Sequence, residues 1–151
     1  MELEDKRKIV SLARETIEAK LVELKSLGEG LKRSLAEETK SSAGDKHETG
    51  RAMVHLEQEN LSKQSEAFQR MLIQLEALKL NAKHQKIQTG SLFLDSGIWY
   101  FVSVALGKIE LASENVYCIS EFSPLAKAVM NLQANDQFTF QGKSRQVEVL
   151  I

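Results

Sequence analysis

The chain has 151 residues, of which 42% are hydrophobic and 27% are charged, and its formal net charge is −1. This composition is typical of an ordinary globular protein and excludes a disordered or fibrous chain. The near-neutral balance argues against broad attraction to nucleic acid or to anionic membranes, because both require a cationic surface. We therefore expect neither membrane binding nor sequence-specific DNA binding.

The sequence also predicts a cytoplasmic location. No apolar run approaches the roughly 20 residues that a membrane-spanning helix needs. The opening stretch MELEDKRKIV begins with acidic residues and lacks the apolar core of a signal peptide. The single cysteine, Cys118, lies in the apolar stretch ENVYCIS. We expect it to be a buried thiol in a reducing compartment.

Residues 1–84 predict an antiparallel coiled-coil hairpin. They contain no proline and are rich in Leu, Glu, Lys, Ala and Gln, which favour helix. Apolar residues alternate at spacings of four and three, which indicates a heptad seam in each of two helices. The seam residues are Ile17, Leu21, Leu24, Gly28, Leu31 and Leu35 in the first helix, and Phe68, Met71, Leu75, Leu78 and Ala82 in the second, extended more weakly by Leu61 and Val54.

A polar turn near residues 41–48 separates the two predicted helices. Glu57 and Gln64 occupy positions that should be apolar, so we expect packing to weaken towards this turn. Gly28 and Gly30 each weaken the first helix and leave open whether it is broken there. With arms of about 36 residues, the turn would stand on the order of 50 Å from the base of the hairpin.

Residues 88–151 predict a compact sheet domain with one helix. From about residue 87 the period of the apolar residues changes to two, in stretches such as SLFLDSG, IWYFVSVAL and NVYCIS. Ser123 and Pro124 are typical of a helix start, and QFTFQGKSRQVEVLI predicts a hairpin turning at residues 141–143. The fold class is therefore α+β, with a helical hairpin followed by an antiparallel sheet domain.

Two carboxylates, Asp45 and Glu48, open the second helix and have two interpretations. Asp at an N-cap with Glu three residues later forms a capping box, which satisfies backbone amides at the helix start. The alternative is that the pair holds a hard cation such as Mg²⁺, which prefers oxygen ligands. One or two carboxylates bind this ion weakly unless a partner supplies the remaining ligands. The two interpretations are compatible.

Two motifs resemble the bacterial Gre transcript-cleavage factors (GreA and GreB). AGDKHETGRAMVHLEQEN is similar to the coiled-coil end of that family, where Gly-Asp-x-x-Glu opens the second helix. SPLAKAVMNLQANDQFTF is similar to a part of its C-terminal domain that has a Ser-Pro-aliphatic-Ala start, a short apolar helix and an acidic turn into a strand, and the fold of that domain is related to FK506-binding proteins. The resemblance covers roughly residues 40–151, and the order of the two parts agrees.

This resemblance implies an accessory factor of RNA polymerase and not an enzyme in its own right. The family inserts its hairpin into the secondary channel and helps the polymerase to cleave backtracked RNA. Asp45 and Glu48 would then be ligands of a second Mg²⁺ in the polymerase active site, acting in trans on the nascent RNA 3′ end. The resemblance places polymerase docking at Ser123, Pro124 and Leu125.

Three departures from the family keep alternatives open. Thr49 and Ala52 stand where the family commonly has Asn and Tyr, and Phe122 replaces a polar or acidic residue. A regulator that occupies the channel without stimulating cleavage is therefore the main alternative. A peptidyl-prolyl isomerase is a weaker one, because fold does not confer function.

Basic residues around the acid pair, Lys40, Lys46 and Arg51, could contact phosphates of the extruded RNA. The simpler interpretation is that they are solvated charges balancing nearby carboxylates. His47 does not have the spacing of a zinc motif. Trp99, Tyr100 and Phe101 are expected to belong to the sheet rather than to form a stacking platform for bases. The oligomeric state is left open by the sequence.

Overall fold

The computed structural model describes the backbone of residues 1–38 and 44–151, and the side chains outside residues 38–47. Two long helices precede seven strands and a short third helix in the described chain. The elements are α1 (Leu3–Glu38), α2 (Gly44–Glu76), β1 (Leu92–Asp95), β2 (Ile98–Ser103), β3 (Gly107–Leu111), β4 (Glu114–Ser120), α3 (Pro124–Val129), β5 (Gln137–Phe140), β6 (Lys143–Gln146) and β7 (Val149–Leu150). This order confirms the predicted α+β class.

The chain forms two compact units. One consists of residues 16–70, and the other of residues 1–15 together with residues 71–151. Each long helix therefore contributes to both units. The junction between the predicted domains 1–84 and 88–151 falls inside the second unit, and this division into domains stays a prediction. None of the described helices has the length and apolar content to cross a membrane.

Within residues 16–70, α1 and α2 pack through the predicted seam of α1. Ile17 and Leu24 on α1 and Leu61 on α2 are buried, and the ammonium of Lys20 lies 5.9 Å from the centre of the Phe68 ring. The remaining predicted seam positions of α1 are half-buried, namely Leu21, Gly28, Leu31 and Leu35. The heptad prediction for α1 is confirmed, and α1 continues through Gly28 and Gly30 without a break.

The seam of α2 differs from the prediction at both of its ends. The helix ends at Glu76, so the predicted seam residues Leu78 and Ala82 lie beyond it, and near the turn the seam is displaced by one residue. Glu57 and Gln64 are exposed, and the half-buried positions are Gln58 and Ser65 instead. Both alternatives keep heptad spacing relative to Leu61, so the repeat alone cannot choose between them. Burying a carboxylate costs more than burying an amide or a hydroxyl. This difference accounts for Glu57 facing solvent.

A groove of about 590 Å³ lies between the two helices, and Gly28 is among the residues that line it, with Ser62 and Ser65 on α2. A Cβ atom built on Gly28 would meet nothing within 4 Å. The packing of the two helices therefore does not require glycine at this position.

We expect Gly28→Ala to raise the free energy of unfolding by ~0.5–1 kcal/mol, because alanine loses less backbone entropy in a helix. Urea unfolding followed by circular dichroism measures this change. Gly97→Ala is the comparison variant, because Gly97 has a φ of +75° and alanine is strained at a positive φ. That variant is expected to be less stable than the parent protein. A destabilised Gly28→Ala protein would contradict the open space beside Gly28.

In the other unit, a five-stranded sheet has the strand order β3-β4-β2-β1-β7. Three of its pairs are antiparallel, and β2 pairs with β4 in parallel. The sheet is therefore mixed, whereas the sequence predicts antiparallel strands. The cause is that β3 lies at the edge of the sheet and β4 lies between β3 and β2. Because β4 is antiparallel to β3, it runs in the same direction as β2. Alternation of apolar residues carries no information on this order.

Strands β5 and β6 form a separate two-stranded sheet. Phe140 pairs with Lys143 across the turn, and the intervening Gln141 and Gly142 have φ angles of 51° and 74°. Positive φ at both positions is the geometry of a tight hairpin turn. The predicted hairpin at residues 141–143 is confirmed.

The core of this unit joins α3 to both sheets. Its buried members are Ile87, Phe93, Val102, Leu125, Val129, Phe138 and Val147. Trp99, Phe101 and Cys118 are also buried, and strand alternation places them on the opposite face of the large sheet. Burial raises the pKa of the Cys118 thiol to about 11. The prediction that Cys118 is a buried thiol is confirmed.

One buried ion pair links the two sheets. Asp95, at the end of β1, is fully buried. The Nε atom of Arg145 on β6 donates to its Oδ1 atom over 3.1 Å, and Oδ2 is paired with the guanidinium by charge rather than by a well-directed hydrogen bond. The guanidinium also lies over the rings of Phe138 and Phe140. This pairing fixes β6 against the end of β1.

A second buried charge, Lys6 near the start of α1, has no ion-pair partner among the described side chains. Its side chain is fully buried, and its amine donates to the carbonyl oxygen of Ala82 over 3.4 Å. Burial lowers the pKa of Lys6 to about 8. His84 lies close by, its Nδ1 atom 2.7 Å from the Ser91 hydroxyl oxygen, and its pKa is lowered by burial and by the charge of Lys6. The charged form of Lys6 therefore opposes folding.

Lys6→Met keeps the length of the side chain and removes the charge. At pH 7 we expect a gain of ~1–3 kcal/mol in the free energy of unfolding. Because the folded-state pKa of Lys6 is about 8 and its ordinary value is 10.5, the unfolded chain holds this proton more tightly. Stability of the parent protein should thus rise between these pH values. In Lys6→Met, the free energy of unfolding should lack the increase with pH that the titration of Lys6 causes.

Denaturant unfolding at several pH values measures both effects. Lys86→Met is the control, because Lys86 is exposed in the same unit and its loss should change stability by less than about 0.5 kcal/mol. A Lys6→Met protein that is less stable than the parent at pH 7 would show that the buried amine makes net favourable contacts.

Candidate functional site

The predicted acid pair lies at the start of α2. This helix begins at Gly44, so Asp45 and Glu48 fall at helical positions three residues apart, on one side of the helix. The helix start leaves backbone amides unpaired and carries partial positive charge, which favours anionic side chains. Asp45 is one residue inside the helix and not at its N-cap. A capping box headed by Asp45 would therefore require the helix to begin two residues later, at Lys46.

Glu48 is exposed. The side chains of Asp45, Lys46 and His47 and the whole of Lys40 lie outside the described residues. Arg51 is exposed as well. The structure thus places Glu48 and Arg51 on the surface at the beginning of α2, and a contact of Lys40, Lys46 or Arg51 with RNA stays a prediction.

Two carboxylates at this spacing could contribute oxygen ligands to a hard cation. Among the side chains outside residues 38–47, no group of three or more His, Cys, Asp or Glu residues is arranged to hold a metal ion. Glu48 therefore does not belong to such a group within the described part of the chain. Mg²⁺ binding by Asp45 and Glu48, with the other ligands supplied by a partner, stays a prediction.

The predicted docking residues are used by the fold of the sheet domain itself. The Ser123 hydroxyl accepts a hydrogen bond from the Ala126 amide over 3.2 Å, which makes Ser123 the N-cap of α3. Pro124 occupies the first turn of α3, and Leu125 is buried in the core. Of the three, Pro124 alone is exposed, and Ser123 is half-buried. A polymerase contact at these residues stays a prediction.

Phe122 is the exposed residue at this end of the domain that the sequence did not single out as a candidate contact. Its side chain is 69% exposed. A cavity of about 200 Å³ lies beside it, lined also by Leu78, Thr89 and Ser103. Next to it, Glu121 accepts a hydrogen bond of 2.7 Å from the Thr89 hydroxyl. A phenylalanine in the otherwise polar stretch SEFSP is the sequence signal that could have indicated this surface.

Comparison with known proteins gives little beyond these observations. No family model matches the sequence, and no curated protein matches it. A solved structure described as "Structure of the transcription factor Gfh1" is similar over 92% of this chain and 93% of that chain, with 17% sequence identity and a TM-score of 0.39. These values are too low to establish a shared fold or function.

Substitution of Ser123 tests its role as the N-cap of α3. We expect Ser123→Ala to lower the free energy of unfolding by ~1 kcal/mol, because the Ala126 amide loses its acceptor. Ser123→Asp should retain most of that stability, since Asp is as good an N-cap residue. Thermal unfolding of both variants measures the difference. Equal stability of Ser123→Ala and the parent protein would contradict the capping role.

Proposed function

We propose that this protein binds RNA polymerase and carries its acid pair, Asp45 and Glu48, into the polymerase's secondary channel to stimulate cleavage of backtracked RNA. The observation that carries the proposal is the position of Glu48. It is exposed close to the start of a helix of 33 residues, directly after the segment that joins the two long helices. The resemblance to Gre factors supplies the partner.

Helix length supports delivery of the acid pair into a narrow space. A helix of 33 residues is about 50 Å long. Two helices side by side are thin compared with a globular domain. Carboxylates at the end of such a hairpin can enter a channel that excludes the rest of the chain.

The chemistry of the pair supports action in trans. Asp45 and Glu48 would hold Mg²⁺ together with ligands supplied by the polymerase. The ion, when bound, supplies an activated water and stabilises charge on the phosphate. The contribution of this chain is to position two anionic groups on one side of a helix start. The basic residues Lys40, Lys46 and Arg51 would steer the RNA phosphates.

Replacement of both acids by amides tests this function. We expect Asp45→Asn with Glu48→Gln to abolish RNA cleavage in backtracked elongation complexes supplied with Mg²⁺, because amides are far weaker ligands of a hard cation. Loss of two negative charges near a helix start should lower stability by only about 1 kcal/mol. Cleavage is measured by shortening of end-labelled RNA, and binding by co-sedimentation with polymerase.

Glu57→Gln with Glu59→Gln is the matched control, because it removes two exposed carboxylates further along the same helix. This control should retain cleavage. Cleavage that persists in the Asp45→Asn and Glu48→Gln protein would refute the metal role. A parent protein that does not bind polymerase would refute the proposal as a whole.

A regulator that occupies the channel without stimulating cleavage is the second candidate, and the surroundings of Glu48 favour it. Thr49 and Ala52 are exposed, and both are shorter than the Asn and Tyr that the Gre family commonly has there. The acid pair would then lack the side chains that position it in the family. Polymerase binding without RNA shortening by the parent protein selects this function.

A further inference from the structure

Strand β3 forms one edge of the five-stranded sheet and has an unpaired side. It comprises Gly107–Leu111, and β4 is its one partner among the described strands, in antiparallel register. A two-residue turn joins the strands, with Leu111 opposite Glu114 and Ala112 at a φ of 56°. An edge of this kind exposes a row of backbone donors and acceptors that can pair with another strand.

The turn determines which residues direct these groups outward. In a two-residue hairpin the residues flanking the turn exchange both hydrogen bonds, and hydrogen-bonded pairs then alternate along the ladder. Gly107, Ile109 and Leu111 therefore bond to β4. Lys108 and Glu110 direct their amide and carbonyl groups to the open side. The side chains of these two residues are exposed, whereas Ile109 is buried.

We propose that this edge binds a second copy of the chain by antiparallel pairing of β3 with β3, around a two-fold axis at Ile109. Lys108 then lies opposite Glu110 of the second copy, and Glu110 lies opposite Lys108 of the second copy. Opposite charges on directly facing residues stabilise a strand pair. The backbone groups of both residues gain hydrogen-bond partners, and the two sheets become one continuous sheet.

The charge pattern specifies both the occupant and the register. In a parallel pairing in register, Lys108 would face Lys108 of the second copy. In an antiparallel pairing shifted by two residues, either Lys108 or Glu110 would face the same residue of the second copy. Like charges directly opposite each other are destabilising. The register centred at Ile109 pairs both charges with their opposites. A strand that complements itself in this way is suited to a symmetric, isologous dimer.

The opposite edge of the sheet is less suited to pairing. It is formed by β7, which has two residues, Val149 and Leu150. Such a short strand offers few backbone groups to a partner. The proposed dimer uses none of the residues assigned to polymerase binding, so it stands or fails independently of the proposed function.

Charge reversal at each position tests the pairing. We expect the parent protein to show a concentration-dependent dimer in sedimentation velocity or in size-exclusion chromatography with light scattering. Lys108→Glu and Glu110→Lys should each raise the dimer dissociation constant roughly tenfold or more, because each places two like-charged pairs in contact. Circular dichroism checks that both variants are folded.

Mixing the two variants provides the decisive measurement. In the heterodimer every Glu of one chain faces a Lys of the other, so an equimolar mixture of Lys108→Glu and Glu110→Lys should recover the dimer. The double variant Lys108→Glu with Glu110→Lys should dimerise alone. A parent protein that remains monomeric at all concentrations would overturn the proposal. Dimerisation that is unaffected by either reversal, or a mixture that stays monomeric, would do so too.

Discussion

Burial of one apolar stripe on each long helix is the constraint on which the helical part of the structure depends. Helices of 36 and 33 residues gain most of their stability from packing rather than from intrinsic propensity. Ile17, Leu24 and Leu61 supply that packing within residues 16–70. Their burial fixes the rotation of each helix, and with it the residues that face water. Glu48 precedes Leu61 by thirteen positions, so at about 100° per residue it lies roughly 140° from the seam. The exposure of Glu48, a candidate Mg²⁺ ligand, therefore follows from the burial of Leu61 in the seam.

Local signals in the sequence predicted those parts of the fold whose cause is local. The seam of α1, the cap and proline at the start of α3 and the hairpin at Gln141 and Gly142 each depend on residues within one or two turns of chain. The features that sequence reasoning missed depend on distant residues. The parallel pairing of β2 with β4 depends on where β3 is placed. The half-burial of Gln58 and Ser65 depends on which of two heptad-compatible faces of α2 meets α1. The burial of Lys6 depends on a segment more than seventy residues away.

The residues of the candidate site also differ in whether local sequence or distant packing determines them. A short motif predicts Asp45 and Glu48 as candidate ligands, and both lie in the first two turns of α2, where the partial positive charge of the helix start favours anionic side chains. Ser123 and Leu125 also belong to a short motif, but their side chains are occupied by capping and by the core. A sequence can therefore match a family motif because the motif residues form a helix start. Such a match does not show that their side chains are available to a partner. The polar neighbours of Phe122 are a local signal for an exposed aromatic side chain, but its exposure is decided by the packing of the elements around it.

The charged residues of the sheet domain show which of its groups are available for association. Asp95 and Arg145 satisfy each other in the interior, and this pairing uses their charges to hold two sheets together. Lys108 and Glu110 lie on a strand edge where no strand of the described chain pairs with their outward backbone groups. Natural edge strands often carry such charges to prevent aggregation, because an unmatched strand then meets a desolvated charge. The same two charges cease to be a barrier when the approaching strand is an identical copy in antiparallel register. The same two charges on β3 can therefore oppose pairing with a foreign strand and favour pairing with a second copy. The difference is that only the two-fold symmetric pairing places each charge opposite its counter-charge.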